Sequence, residues 1–343
     1  MTKPRKNLIS IDDTPYYHCV SRCVRRAYLC GNDGEFDFEH RRGWILARIK
    51  QLASVFAVDV SAFAVMSNHY HLVLFIDRDK AVHWTDREVI DQWRWLFKCP
   101  PIIERFMTTP DLSSAELALV DEIITDWRER LHSISWFMQC LNQSIARMAN
   151  REDGCTGRFW EGRFKSQALL DEVALLTCMT YVDLNPVRAG MADAPESSDY
   201  TSIQARLGIE LTTTTTQEVA NNNETELVDA KYPLQAFADD EHINNSNDHL
   251  PFHFVDYVEL VDWTGRQLRD DNRGAIPDTL PPILERLGIK PTQWLRSAGH
   301  VEQHFYRAIG PIAKLEQLCN KLNQHWLQGT RACRELYSNA TVS

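Results

Sequence analysis

Between residues 16 and 76 the chain alternates between two hydrophobic periods. Tyr16 to Val24 reads as a first strand. From Glu39 to Val55, Trp44, Ile45, Ile49, Leu52 and Val55 recur at the spacing of one helical face, which predicts an amphipathic helix. Val58 to Met66 is a second strand. The Ser67-Asn68 turn leads straight into His69-Tyr70-His71-Leu72-Val73-Leu74-Phe75-Ile76, a third strand paired with the second as an antiparallel hairpin.

Residues 78 to about 131 are rich in Trp and acidic residues and broken by Pro100-Pro101 and Pro110, which predicts two or three inserted helices. Trp84, Trp93 and Trp95 are read there as local core. Ser133 to Asn150 is a long helix, and Phe164 to Leu170 alternates like a strand. Asp171 opens a further helix that runs to Asn185, where Pro186 disfavours a helical conformation and Gly190 suits a turn. Strand, helix, strand, strand with later helices implies an α+β fold, an antiparallel sheet with flanking helices.

After about Ala205 the composition changes. Thr212 to Thr216 and Asn221 to Asn223 form a polar stretch that cannot pack a core. The expected organisation is therefore residues 1–205 as the main domain, 206–249 as a polar linker and 250–343 as a mainly helical C-terminal region. Leu280 to Ala298, with Gly288 at a turn, fits a helix-turn-helix, although any short helical hairpin has this pattern.

The net charge is −10, which argues against a protein coated in basic patches but leaves room for one basic groove. Nine scattered Cys without a C-x-x-C framework suggest reduced thiols in the cytoplasm. Cys19 and Cys23 share a strand face and read as buried thiols rather than metal ligands. No apolar run is long enough to span a bilayer, and no apolar signal follows the basic N-terminus. The expectation is a soluble intracellular protein in the cytoplasm.

Successive strand side chains point to opposite faces, so His69 and His71 share one face and can reach a single divalent cation. With 12 His in 343 residues such a pair is unsurprising on its own. Arg158, Arg163 and Lys165 interleave with Phe159, Trp160 and Phe164, as a single-strand groove requires: cations for phosphates, aromatic faces for bases. A strand edge with flanking charge gives the same pattern. Arg22, Arg25 and Arg26 could meet phosphates or mark a solvated strand end. Tyr181 and Asn185, four apart, lie on one helix face, with Asp183 pointing elsewhere.

With His69-Tyr70-His71, Phe159-Trp160-Glu161 and Tyr181 to Gly190 (YVDLNPVRAG) in this order, residues 10 to 200 resemble the single-tyrosine HUH transposases, nearest to the REP-associated tyrosine transposases. The resemblance implies a HUH endonuclease fold with a ferredoxin-like core and a DNA strand-transfer activity. It implies a divalent ion, Mg or Mn, held by His69, His71 and Asn185, with Tyr181 as nucleophile. Two imidazoles alone would favour zinc, manganese or nickel. Partners would be single-stranded or hairpin DNA, contacted also by Arg188 within the motif, with the protein on the nucleoid when bound, as a monomer or a homodimer. Two other readings stay open: a hairpin-DNA-binding protein that does not cut, and a metal-dependent hydrolase or nuclease with no covalent intermediate.

Overall fold

The computed structural model describes residues 9–24, 29–31, 37–109, 111–208, 234–239, 249–268 and 281–338. Arg25, Arg26, Thr212 to Thr216 and Asn221 to Asn223 lie outside them.

The first strand, β1 (Tyr16–Arg22), is followed by α1 (His40–Val55), β2 (Val58–Val65) and β3 (His69–Ile76). Four helices then form the insertion: α2 (Arg78–His83), α3 (Asp86–Arg94), α4 (Pro101–Thr108) and α5 (Ser114–Leu131). Next come α6 (Ile134–Glu152), β4 (Lys165–Leu169), α7 (Glu172–Asp183), α8 (Asn185–Arg188) and α9 (Ser202–Arg206). The C-terminal part contributes α10 (Phe254–Leu268), α11 (Pro282–Arg286), α12 (Pro291–Gly299), α13 (Val301–His304), β5 (Ala308–Ile309), α14 (Ile312–Lys321) and α15 (Thr330–Leu336).

The sheet has five strands in the order β2-β3-β1-β4-β5. Its first four pair antiparallel, as expected of the β–α–β–β–α–β core formed with α1 and α6. The fifth departs from expectation: β5 pairs parallel with β4, so the sheet is mixed. Two residues are too short for any period to register, which is why the pattern missed it. β3 is an interior strand, buried along nearly its whole length because helices cover both faces. α6 lies on the Tyr70 face, where the Tyr70 hydroxyl donates to Asn142 Oδ1 at 2.7 Å. α7 lies on the His71 face and is buried all round its circumference.

The insertion has more helices than the two or three expected. Two of them start with capping boxes, Thr85 with Glu88 and Ser113 with Glu116, which satisfy the free N–H groups of the first turn. Its core is a Trp93–Trp127 stack with ring centroids 4.7 Å apart. Trp93 is buried as expected, but Trp95, which follows the last turn of α3, is 65% exposed.

The residues beyond 205 do not form a separate core. Leu234, within the expected linker, bridges to Val60, and Gln235 N–H donates to the Val60 carbonyl at 2.9 Å, so 234–238 covers the outer edge of β2. Buried Asp183 accepts from the Ile203 N–H at 2.9 Å and from the hydroxyls of Ser202 and Tyr257, tying α7 to α9 and α10. α12 packs against α7 with Trp294 fully buried, so the inner face of the expected helix-turn-helix is spent on the core. One hydrophobic cluster runs from Tyr17 to Tyr337. The division at 205 is therefore a break in composition and not in packing. No helix among the described residues is long and apolar enough to cross a membrane.

Candidate active site

β3 pairs with β1 so that Val20 lies opposite His71 and Arg22 opposite His69. Opposite residues share a face, which brings His18, two residues along β1 from Val20, to the same side as the two histidines. His71 Nδ1 and His18 Nε2 are 3.0 Å apart, and His18 Nδ1 is 3.3 Å from Gln167 Oε1 on β4. On the other side of the ring, Asn185 Nδ2 is 3.1 Å from His71 Nε2. One tautomer assignment runs through the whole chain: Asn185 N–H donates to His71, His71 N–H to His18, and His18 N–H to Gln167. The histidines are neutral. Burial pushes His71 well below the ordinary imidazole range and lowers His18; His69 falls to about 4, chiefly by burial and next by the positive charge of Arg22.

Tyr181 and Asn185 enter from above this face. α7 is capped by Asp171, whose carboxylate accepts from the Ala174 N–H at 2.9 Å. The helix ends at Asp183, and Leu184 breaks it. Asn185 is therefore the first residue of α8, with Pro186 behind it, and not the last turn of α7. The break still delivers Asn185 to His71. Tyr181, 5% exposed, sets its ring edge-on to His71 at 5.6 Å and to His18 at 6.2 Å between centroids. The Arg188 guanidinium sits 4.6 Å over the Tyr181 ring. Burial raises the Tyr181 phenol above its ordinary value and the charge of Glu302 raises it further, while Arg188 and Asn185 pull it down.

Both candidate imidazole ligands have Nδ1 occupied, His71 by His18 and His69 by the side-chain oxygen of Asn68. His69 keeps Nε2 as its remaining nitrogen, while His71 Nε2 meets the Asn185 amide, which a metal there would have to displace or turn. The Asn185 amide can present its oxygen by a half-turn. The residues thus fit a divalent ion by donor type. Among the described residues no group of three or more His, Cys, Asp or Glu side chains is arranged to hold a metal, so the candidate set depends on the Asn185 amide.

Of the other predicted contacts, Arg158, Arg163 and Lys165 are exposed on the segment entering β4. Phe159 and Trp160 are a correction. They are 2% and 9% exposed, and the Trp160 indole donates to the Asn142 carbonyl at 2.8 Å with its ring edge-on to Tyr70. Packed into the core, they offer no open face to a base, and buried Phe164 does not either. Arg22 reaches Glu302 at 3.7 Å, and Arg188 is taken up by Tyr181. Sequence reasoning missed His18, Gln167 and Glu302. His18 sat in a recognised strand, and only the strand register reveals its relation to His71.

No protein-family model and no curated protein matches the chain. A solved structure of a REP-associated tyrosine transposase bound to a REP hairpin is similar over 61% of this chain and 87% of that one, at 12% identity and a TM-score of 0.33. A likeness that distant carries no argument about the chemistry here, which rests on the arrangement of Tyr181, Asn185 and the histidines.

Proposed function

We propose that this protein cleaves and rejoins single-stranded DNA, at hairpin or REP-like palindromic sequences, through a 5′-phosphotyrosine link to Tyr181. The observation that carries the reading is the convergence of Tyr181 and Asn185 on His71, from a helix and a strand far apart in sequence. The motif resemblance across residues 10 to 200 supports the same assignment.

His69, His71 and Asn185 would hold Mg or Mn, with phosphate oxygens completing a harder ligand set than two imidazoles alone supply. A divalent ion there would polarise the scissile phosphate and stabilise the departing 3′ oxygen. Tyr181 would attack phosphorus and leave a free 3′-hydroxyl. An ordinary phenol near pKa 10 is about 0.1% ionised at neutral pH, a deficit of roughly 4 kcal/mol, and burial of Tyr181 deepens it. Arg188 over the ring and Asn185 beside it offset part of that deficit. Arg158, Arg163 and Lys165 would meet the DNA backbone.

Tyr181→Phe tests the reading. Wild-type protein with Mn should form a denaturant-resistant adduct with the DNA fragment 3′ of the cut; the variant should bind the DNA normally and form none. Cleavage by the variant would hand the reaction to water and favour the hydrolase. The burial of Tyr181 favours the remaining reading, a hairpin-DNA-binding protein that does not cut. Absence of adduct and of cleaved product in the wild type would establish it.

A further inference from the structure

The nucleophile proposed above has no base within its own motif. Asp183, two residues on, is held by Ser202, Ile203 and Tyr257. His18 and His71 have both ring nitrogens engaged. Among the described residues one further carboxylate approaches. Glu302 sits on α13, which packs against α7, the helix of Tyr181. From there it reaches Arg22, the residue opposite His69. It is thus bracketed by α7, which bears the candidate nucleophile, and by β1, the strand paired with the one that bears His69 and His71. Its side chain is 27% exposed, yet its Oε1 is buried with no hydrogen-bond partner. A shielded carboxylate oxygen without a donor is unusual unless it awaits one. Its charge is felt at Tyr181, His18 and His69.

We propose that Glu302, supplied by the C-terminal region, is the general base for Tyr181, an inference that rests on the covalent reading above. As Tyr181 Oη bonds to phosphorus, its O–H bond breaks and the proton passes to the Glu302 carboxylate. The P–O3′ bond breaks with its electron pair on the 3′ oxygen, which takes a proton from water. In rejoining, the 3′-hydroxyl gives its proton to water and Glu302 returns one to the phenol.

The test uses full-length protein, a labelled single-stranded hairpin oligonucleotide and Mn. Glu302→Gln keeps shape and removes the basic oxygen. It should slow adduct formation by roughly 100-fold or more, the usual contribution of such a base, with DNA affinity and melting temperature unchanged. A ring-fluorinated tyrosine at position 181, whose phenol is more acidic, should restore most of that loss while changing the wild type little. Glu302→Asp should recover part of the rate and guards against a folding defect in the Gln variant. A Glu302→Gln rate within a few-fold of wild type overturns the proposal. So does a loss that neither the fluorinated tyrosine nor Glu302→Asp restores. If wild-type protein forms no adduct, the covalent reading itself has failed and this inference goes with it.

Discussion

His18 Nε2 lies 3.0 Å from His71 Nδ1, with the two rings within 11° of parallel. The contact leaves Nε2, now facing the Asn185 amide, as the His71 nitrogen that a divalent ion would meet in the proposed site. Replacing His18 by Phe keeps the volume and removes the acceptor. Mn affinity measured by calorimetry should fall about 10- to 100-fold, as for other outer partners of histidine ligands. Unchanged affinity would mean that His71 needs no such support.

Tyr257 donates to Asp183, a carboxylate with no solvent contact. Tyr257→Phe leaves one of its oxygens short of a donor. Urea unfolding should show a loss of roughly 1–3 kcal/mol.

A chain ending near Ala205 would lack β5, Tyr257 and α12, and would leave the outward face of α7 uncovered. It should be insoluble, or soluble without a cooperative melting transition. A truncated chain that melts sharply would show that the first 205 residues form their own core.

Arg158, Arg163 and Lys165 are exposed where Phe159 and Trp160 are buried, so the two sets should respond differently to substitution. Each basic residue changed to Ala should weaken DNA binding and reduce the salt dependence of affinity by about one phosphate contact. Trp160→Ala should instead cost roughly 3–5 kcal/mol of folding stability. A normal melting curve with weakened DNA binding in Trp160→Ala would return that ring to the interface.

Burial holds the Asp171 carboxyl above its ordinary value of 3.8, against hydrogen bonds from Tyr337 and Ala174. Above 3.8 the unfolded chain loses this proton while the folded chain retains it, up to the raised value. The unfolded state then binds fewer protons, so this group's stabilising contribution, full below 3.8, is lost as pH rises through that window. Asp171→Asn keeps an N-capping side chain and should flatten that part of a urea-midpoint profile against pH.

The elements around the site were legible because their signals are local. The Ser67-Asn68 turn, the two histidines one residue apart and the apolar run behind them define β3 without help from the rest of the chain. The spacing of Tyr181 and Asn185 survived even though Leu184 breaks the helix between them. The hydrogen-bond chain was not legible, since His18, His71 and Gln167 meet only through strand register. Glu302 carries no local signal at all; its α13 belongs to a region that composition had set apart. The aromatic pair at 159 and 160 misled for a related reason. Interleaving with arginines resembles a binding strip, and only the positions of Tyr70 and Asn142 reveal that the rings turn inward.

The parallel pairing of β4 with β5 puts the fold in a temporal order. Four strands have been synthesised by residue 169, but their outer partner waits for residues 308 and 309. Closing so long a loop is slow, because its entropy is lost before its contacts are gained. Until then the growing chain carries a bare strand edge at β4 and an apolar helix at α7 that still lacks α12. Such a chain has a defined interval during synthesis in which chaperones can engage it, and it closes when the β4–β5 ladder forms.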